Sequence, residues 1–231
     1  MRLLSIFLRD FFHVIYPAYC SGCLSPLTPQ EQTVCLKCIT HLPKTGFHLL
    51  EENPVEKLFY GRINLYSGTA GYYFHKGDTI QKLLHQLKYK NRPEIGFLLG
   101  KEMSTDWKES DKFSTIDCII PIPLHPKKQK IRGYNQAEKI AQGIARNLKV
   151  EINTTALVRN IFTETQTKKS HYERWQNVSS AFVLHNPETF QDRHVLIVDD
   201  VLTTGATMEA ALRHFTSVKN IKISVAVVAM A

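Results

Sequence analysis

Apolar residues recur along this chain with two different periods. Ile80, Leu83, Leu84 and Leu87 fall at i, i+3, i+4 and i+7, a helical stripe. Ala137, Ile140, Ala141, Ile144, Ala145 and Leu148 form a longer stripe over 135–148. Met208, Ala211, Leu212 and Phe215 form a third, and Pro93 to Lys108 predicts a further helix. Between them lie short apolar runs at Ile116–Ile122, Val195–Val198 and Ile221–Val228, and a strand or hairpin arm rich in Tyr and Gly from Leu65 to Phe74. A run as short and as uniformly apolar as Val195–Val198 suits a central parallel strand covered on both faces. Strands alternating with helices predict a parallel α/β sheet over 65–231, with Ile221–Val228 closing it. Asp78, with Gln81 three residues on, has the spacing of a capping box at a helix start.

Three further zones precede that domain. Over residues 1–16, Leu4, Phe7, Leu8, Phe11 and Ile15 share one helical face, and Pro17 ends the helix. Arg9 and Asp10 interrupt the run too early for a secretory signal, so docking on the rest of the protein is the expected role of the stripe, with a membrane-surface role as the alternative that the weakly basic polar face disfavours. Residues 17–45 hold Cys20, Cys23, Cys35 and Cys38 among four prolines, with little periodicity. Such a segment cannot fold around its own core and needs a staple. Residues 46–64 read as a connector.

Composition narrows the function. The chain has 231 residues, 43% hydrophobic and 22% charged. No apolar run approaches the ~20 residues of a membrane span, which excludes an integral helical membrane protein. The formal charge is +8, and Pro121 to Val150 alone carries seven cations against Glu138. That excess favours anionic partners. Lys127, Lys128, Lys130 and Arg132 are expected in a loop after a strand, where they can hold a pyrophosphate or follow a nucleic-acid backbone.

Two segments carry recognisable chemistry. C-x2-C-x11-C-x2-C supplies two chelating turns, as a closed tetrathiolate zinc site requires. Two local disulfides or an iron–sulfur cluster are the alternatives. His41 is not expected as a ligand, and Cys118 reads as a small core residue. The other segment is Val198-Asp199-Asp200-Val201-Leu202-Thr203-Thr204-Gly205-Ala206-Thr207. Two acids stand at the carboxyl end of a buried strand, where open α/β sheets bind ligands. The hydroxyl-rich turn after them opens a helix and can take a phosphate, with Gly205 admitting it to the backbone. A ribose 5-phosphate fits: hydroxyls to Asp199 and Asp200, phosphate to Thr203, Thr204, Gly205, Ala206 and Thr207. Neither a G-x-x-x-x-G-K-[ST] loop nor a G-x-G-x-x-G fingerprint occurs.

That stretch resembles the phosphoribosyl pyrophosphate (PRPP) loop of type I phosphoribosyltransferases. Further resemblances lie in Pro121-Ile122-Pro123-Leu124-His125-Pro126, Arg132-Gly133-Tyr134-Asn135-Gln136, Leu87-Lys88-Tyr89, Arg159 with Thr165-Gln166-Thr167, Arg174, Asn177, and the paired cysteines. Together they are similar to the ComF family over almost the whole chain. Where that family usually has arginines before R-G-Y-N-Q, this chain has Lys127, Lys128 and Lys130, which are point charges without arginine's fork.

The resemblance implies a type I phosphoribosyltransferase fold, doubly wound with a mostly parallel sheet, plus the N-terminal helix and zinc knuckle. It implies PRPP binding with Mg²⁺, Asp199 and Asp200 serving the ribose hydroxyls and the metal. Arg132 and Lys128 would take the pyrophosphate, and the segment Arg159–Arg174, with Gln166, Lys168 and Lys169, would close over it. His125 is a candidate base by position only, and the acceptor stays unknown. Two readings stay open. One is an enzyme transferring phosphoribosyl to that acceptor. The other, as the family's link to competence implies, is a DNA-uptake factor that handles single-stranded DNA and uses the PRPP site as a sensor or for DNA contact, with a competence helicase or other DNA-uptake proteins as partners. Either is expected in the cytoplasm.

Overall fold

The computed structural model describes residues 17–159 and 181–231. The N-terminal stripe over 1–16 and the closing-loop residues Thr165, Gln166, Thr167, Lys168, Lys169, Arg174 and Asn177 lie outside the described residues.

Five parallel strands form the main sheet in the order β1-β7-β6-β2-β3. They are β1 (Ser67–Tyr73), β2 (Cys118–Pro121), β3 (Glu151–Ile152), β6 (His194–Leu202) and β7 (Lys222–Met230). A short antiparallel pair, β4 (Leu157–Arg159) with β5 (Phe182–Leu184), stands apart. The last strand does not close the sheet. β7 lies inside it, between β1 and β6, which is why its burial is nearly continuous.

Alternate residues of β6 feed two separate cores. Leu196 and Val198 face one cluster with α3 (Thr79–Tyr89), α4 (Pro93–Met103) and α6 (Gln136–Leu148). Val195 and Ile197 face the other, with α2 (Pro54–Phe59) and α7 (Ala206–Leu212). A strand flanked by two cores must be apolar on both faces, and the Val195–Val198 run meets that demand. Cys118 is buried in the second cluster.

Several local expectations change. The stretch 46–64 is more than a connector: α2 carries Val55 and Phe59, both fully buried. Asn53 caps it by accepting from Val55 N at 3.0 Å, and Glu56 reaches back to Asn53 N. The cysteine segment does not stand outside a core either. Cys20, Leu27, Val34, Cys35, Cys38 and Leu42 share the buried cluster of α3 and α4. Asp78 is the N-cap of α3, but its side chain makes no cap bond; Gln81 Oε1 instead accepts from Gly77 N at 2.7 Å. The basic stretch is a helix, α5 (Pro126–Arg132). Pro126 starts it, the His125 ring accepts from Lys127 N at 3.2 Å, and Gly133 ends it at φ 78°. Its only large apolar residue, Ile131, is 84% exposed, so no apolar stripe announced it.

α4 and α6 meet at unusually close range. A Cβ on Gly100 would lie 2.1 Å from Ile140 O, and one on Gly143 would lie 2.1 Å from Phe97 O. Only glycine at both positions allows this approach, which seats α6 over β2 and β6.

Candidate functional site

Connections leave the middle of the sheet in opposite directions. β2 leads through α5 and α6 to β3 on one side, and β6 leads through α7 to β7 on the other. α6 covers one face and α7 the other. The crevice between β2 and β6 is therefore the topological switch point, where doubly wound sheets hold ligands. The ladder between these strands ends at Pro121 opposite Val198, and Ile122 N donates to Val198 O at 2.8 Å. On the other side β6 stays paired with β7 as far as Leu202 opposite Met230. The acids are thus not at the very end of β6. They sit where β2 has already left, so their edge of the strand opens onto the crevice.

Asp199 and Asp200 are partly buried. Asp199 Oδ1 accepts from Asp200 N at 2.8 Å. Asp200 Oδ1 lies 2.9 Å from the Nζ of Lys88, on the last turn of α3. Burial, then the neighbouring Asp200 charge, raises the Asp199 carboxyl to about 7, against the opposing pull of the Asp200 N–H, Lys88 and Arg159. Hard carboxylate oxygens on adjacent residues suit Mg²⁺ or ribose hydroxyls. In the sequence Lys88 stands out only as part of Leu87-Lys88-Tyr89; its pairing across more than a hundred residues has no signal there.

The turn after β6 is exposed at Thr203, Thr204, Ala206 and Thr207 and buried at Gly205. Thr204 Oγ1 accepts from Ala206 N at 3.5 Å. Gly205 has φ 77°, and a Cβ there would lie 2.9 Å from Leu58 Cδ2 of α2. Chain geometry and packing on α2 already require that glycine, apart from any ligand.

Across the crevice, R-G-Y-N-Q joins α5 to α6. Gly133 N closes α5 on Gln129 O, and the Tyr134 hydroxyl donates to Leu87 O of α3. Asn135 Nδ2 donates to Ile122 O at 2.9 Å, and its Oδ1 caps α6 at Ala137 N. Arg132 Nη1 donates to Gln136 Oε1 at 2.7 Å, and its guanidinium lies 5.3 Å over the Tyr89 ring. Arg132 and Lys128 thereby line one pocket of about 400 Å³ with Lys88, Tyr89, Asn91 and Ile131. His125 spends its Nδ1 on the cap of α5. Arg159, at the end of β4, lies over the Phe182 ring and adds charge near Asp199.

The four cysteines converge as their spacing predicts. Their Sγ atoms all lie within 4.8 Å of one another. Zinc–sulfur bonds of about 2.3 Å in a tetrahedron put the sulfurs about 3.8 Å apart. Cys23 and Cys35 Sγ are 3.7 Å apart, far longer than a disulfide, and all five thiols are free. Cys20 Sγ accepts from Gly22 N at 3.3 Å and Cys35 N at 3.2 Å. Hydrogen bonds from Ser25 lower the Cys23 thiol to about 6, while burial raises Cys38. The donor set fits a closed zinc site. His41 is turned away, with Nδ1 2.8 Å from Lys37 O.

Among the described residues no helix is long and apolar enough to cross a membrane. The model of the phosphoribosyl transferase domain matches residues 134–231, from the R-G-Y-N-Q turn through β6 to β7. DNA utilization protein YhgH of Shigella flexneri is 32% identical over 197 residues, 82% of this chain and 80% of that protein. Competence protein F of Haemophilus influenzae is 28% identical over 208 residues, 87% of this chain and 85% of that one. Competence protein ComFC of Bacillus subtilis is 27% identical over 138 residues, 59% and 53% of the two chains. This chain brings the paired cysteines, the R-G-Y-N-Q turn and the acid pair at the switch point into one fold, YhgH is matched over four-fifths of its length, and the chain belongs to the ComF family of the phosphoribosyltransferase superfamily.

Proposed function

We propose that this protein binds PRPP with Mg²⁺ in the crevice between β2 and β6 and serves the handling of DNA taken up by the cell. One observation carries the first part: two adjacent acids, of which Asp200 is ion-paired to Lys88, stand at the switch point beside a pocket lined by Lys128 and Arg132. Asp199 and Asp200 accept the ribose hydroxyls and would hold Mg²⁺. Thr203 to Thr207 receive the 5-phosphate. Arg132 and Lys128 meet the pyrophosphate. Mg²⁺ held by Asp199 and Asp200 would supply charge neutralisation for the pyrophosphate. Bond breaking at ribose C1 builds positive charge on the sugar, so the chain's task is orientation and electrostatic support, without a protein nucleophile. The four cysteines hold zinc as a closed structural site.

The DNA role rests on the names of the relatives, DNA utilization protein and competence protein. α5 favours it, since Lys127, Lys128 and Lys130 are exposed around Ile131. Calorimetry with PRPP and Mg²⁺ tests the first part. Measurable binding that disappears in Asp199→Ala plus Asp200→Ala supports it; unchanged binding in the double variant removes it. Single-stranded DNA binding should lose affinity with salt at a log–log slope of about 0.7 per phosphate contact. Lys128→Glu plus Lys130→Glu should reduce both affinity and slope, and an unchanged slope would take DNA off α5.

A further inference from the structure

The acids of β6 and the basic pocket at α5 are joined through Lys88. Its Nζ lies 2.9 Å from Asp200 Oδ1, and its side chain also lines the pocket beside Tyr89, Lys128 and Arg132. Lys88 is 24% exposed and Asp200 15%. So shielded a pair is not a screened surface contact.

The backbone under Lys88 is held on both sides. Leu87 is fully buried, and its carbonyl accepts from the Tyr134 hydroxyl. Two residues before Lys88, Gln86 Nε2 donates to Ser21 O of the cysteine segment at 2.5 Å. The Cα is therefore fixed while the four-carbon stem can swing. A lysine ammonium is a point charge with rotatable donors, suited to changing partners in a way an arginine fork is not. Two partners lie within its arc: a carboxylate on one side and a cationic pocket on the other. The second is unattractive to an ammonium until an anion enters it.

Resting on the phosphoribosyl reading of this site, we propose that Lys88 is an exchangeable pyrophosphate ligand. It neutralises Asp200 in the free protein and turns to the pyrophosphate, beside Lys128 and Arg132, once ribose hydroxyls occupy Asp200. Hydroxyl hydrogens then replace the ammonium on the carboxylate, so neither group loses its partner. The exchange needs both halves of the ligand. Ribose 5-phosphate offers the freed ammonium no pyrophosphate, and pyrophosphate alone offers Asp200 no hydroxyls. The intact ligand is thus favoured over either fragment.

Calorimetry on the full chain tests this with three probes: PRPP with Mg²⁺, ribose 5-phosphate, and inorganic pyrophosphate without divalent metal. Lys88→Met keeps the stem and removes the charge. It should weaken PRPP about tenfold or more, the size of one charge-assisted hydrogen bond, without weakening ribose 5-phosphate. Lys88→Arg keeps the charge but not the compact ammonium, so it should lose less PRPP affinity than Lys88→Met without matching the parent. For pyrophosphate alone, Asp200→Asn frees the ammonium and should strengthen binding, and Lys88→Met plus Asp200→Asn should abolish that gain. A gain that persists in the double variant is plain removal of negative charge and overturns the proposal. Equal losses of PRPP and ribose 5-phosphate in Lys88→Met overturn it too, leaving Lys88 as a positioning residue for Asp200. A parent protein that binds neither PRPP nor ribose 5-phosphate defeats the phosphoribosyl reading instead, and the pyrophosphate cycle still decides Lys88.

Discussion

At the amino end of β6, His194 is 3% exposed, yet both its ring nitrogens have partners. Nδ1 lies 2.9 Å from Thr115 Oγ1 and Nε2 lies 2.8 Å from Ser224 Oγ. Burial, then the Lys222 charge, lowers this imidazole to about 4, so it is neutral at ordinary pH. Five residues on, at the crevice, Asp199 takes one internal bond from Asp200 N and is held up at about 7. The same strand therefore closes its polar account at one end and leaves it open at the other. Full internal satisfaction marks a structural group. A partly buried acid pair, opposed by one lysine, keeps capacity for a ligand at some cost in stability.

The largest expected effects separate these two ends. Asp199→Ala plus Asp200→Ala should reduce PRPP affinity by about a hundredfold or more, since several charged hydrogen bonds go together. The melting temperature should change little, because relief of the crowded Asp199 offsets loss of the Asp200–Lys88 pair. His194→Ala should do the reverse, costing about 1–3 kcal/mol by stranding two hydroxyls and leaving PRPP binding intact. Denaturant titration beside calorimetry checks both. If the acid variant unfolds and the histidine variant loses PRPP, the contrast is wrong.

A second test asks whether the cysteine segment behaves like the closed end. Metal analysis should give about one zinc per chain, and Cys35→Ser should lose it. Because Cys20, Cys35 and Cys38 pack in the cluster that holds α3, the loss should lower the melting temperature of the whole domain. Through Gln86 and Ser21 it should also loosen α3 and weaken PRPP binding to a lesser degree. A variant that sheds zinc but melts unchanged would detach the knuckle from the fold.

The smallest effect is in pH. His194 has a folded pKa below its ordinary 6.5, so its stability is complete above 6.5 and is lost as pH falls toward 4. Asp199 has a folded pKa above its ordinary 3.8, so in metal-free protein its contribution is best at low pH and is lost as pH rises toward 7. The two slopes oppose each other between about 4 and 6.5. Asp199→Asn should uncover the histidine slope, approaching 1.4 kcal/mol per pH unit at its steepest, one proton's worth. A profile identical to the parent's would show that the two ends are not titrating as described. By the same logic Mg²⁺-dependent PRPP binding should weaken as pH falls below about 7, because the metal needs the ionised acid.

Short-range patterns made much of this legible. The two C-x-x-C turns bring four sulfurs together because each turn chelates locally. β6, α3 and α6 follow from apolar spacing, and Asp199, Asp200 and the threonine turn from the apolar run Val195–Val198 that precedes them. α5 was missed because a short helix with an exposed Ile131 buries no stripe; its signals were Pro126 at the start and Gly133 at the end. β7 was misplaced because interior and edge strands differ by their neighbours, and pairing order is not a local property.

What the sequence by itself determined is the set of chemical groups and their local geometry: paired thiols, adjacent acids, a hydroxyl turn, a basic segment. Only the tertiary structure decided which groups meet. Lys88 reaches Asp200 because α3 packs on the face that β6 shares, and Arg132 reaches Tyr89 because Tyr134 pins the α5–α6 turn to Leu87. α6 sits where it does because Gly100 and Gly143 let two helix backbones touch. The reason is physical. Chelating turns and amphipathic stripes depend on residues a few positions apart, whereas a charge pair across the crevice depends on close packing between segments that the chain separates widely.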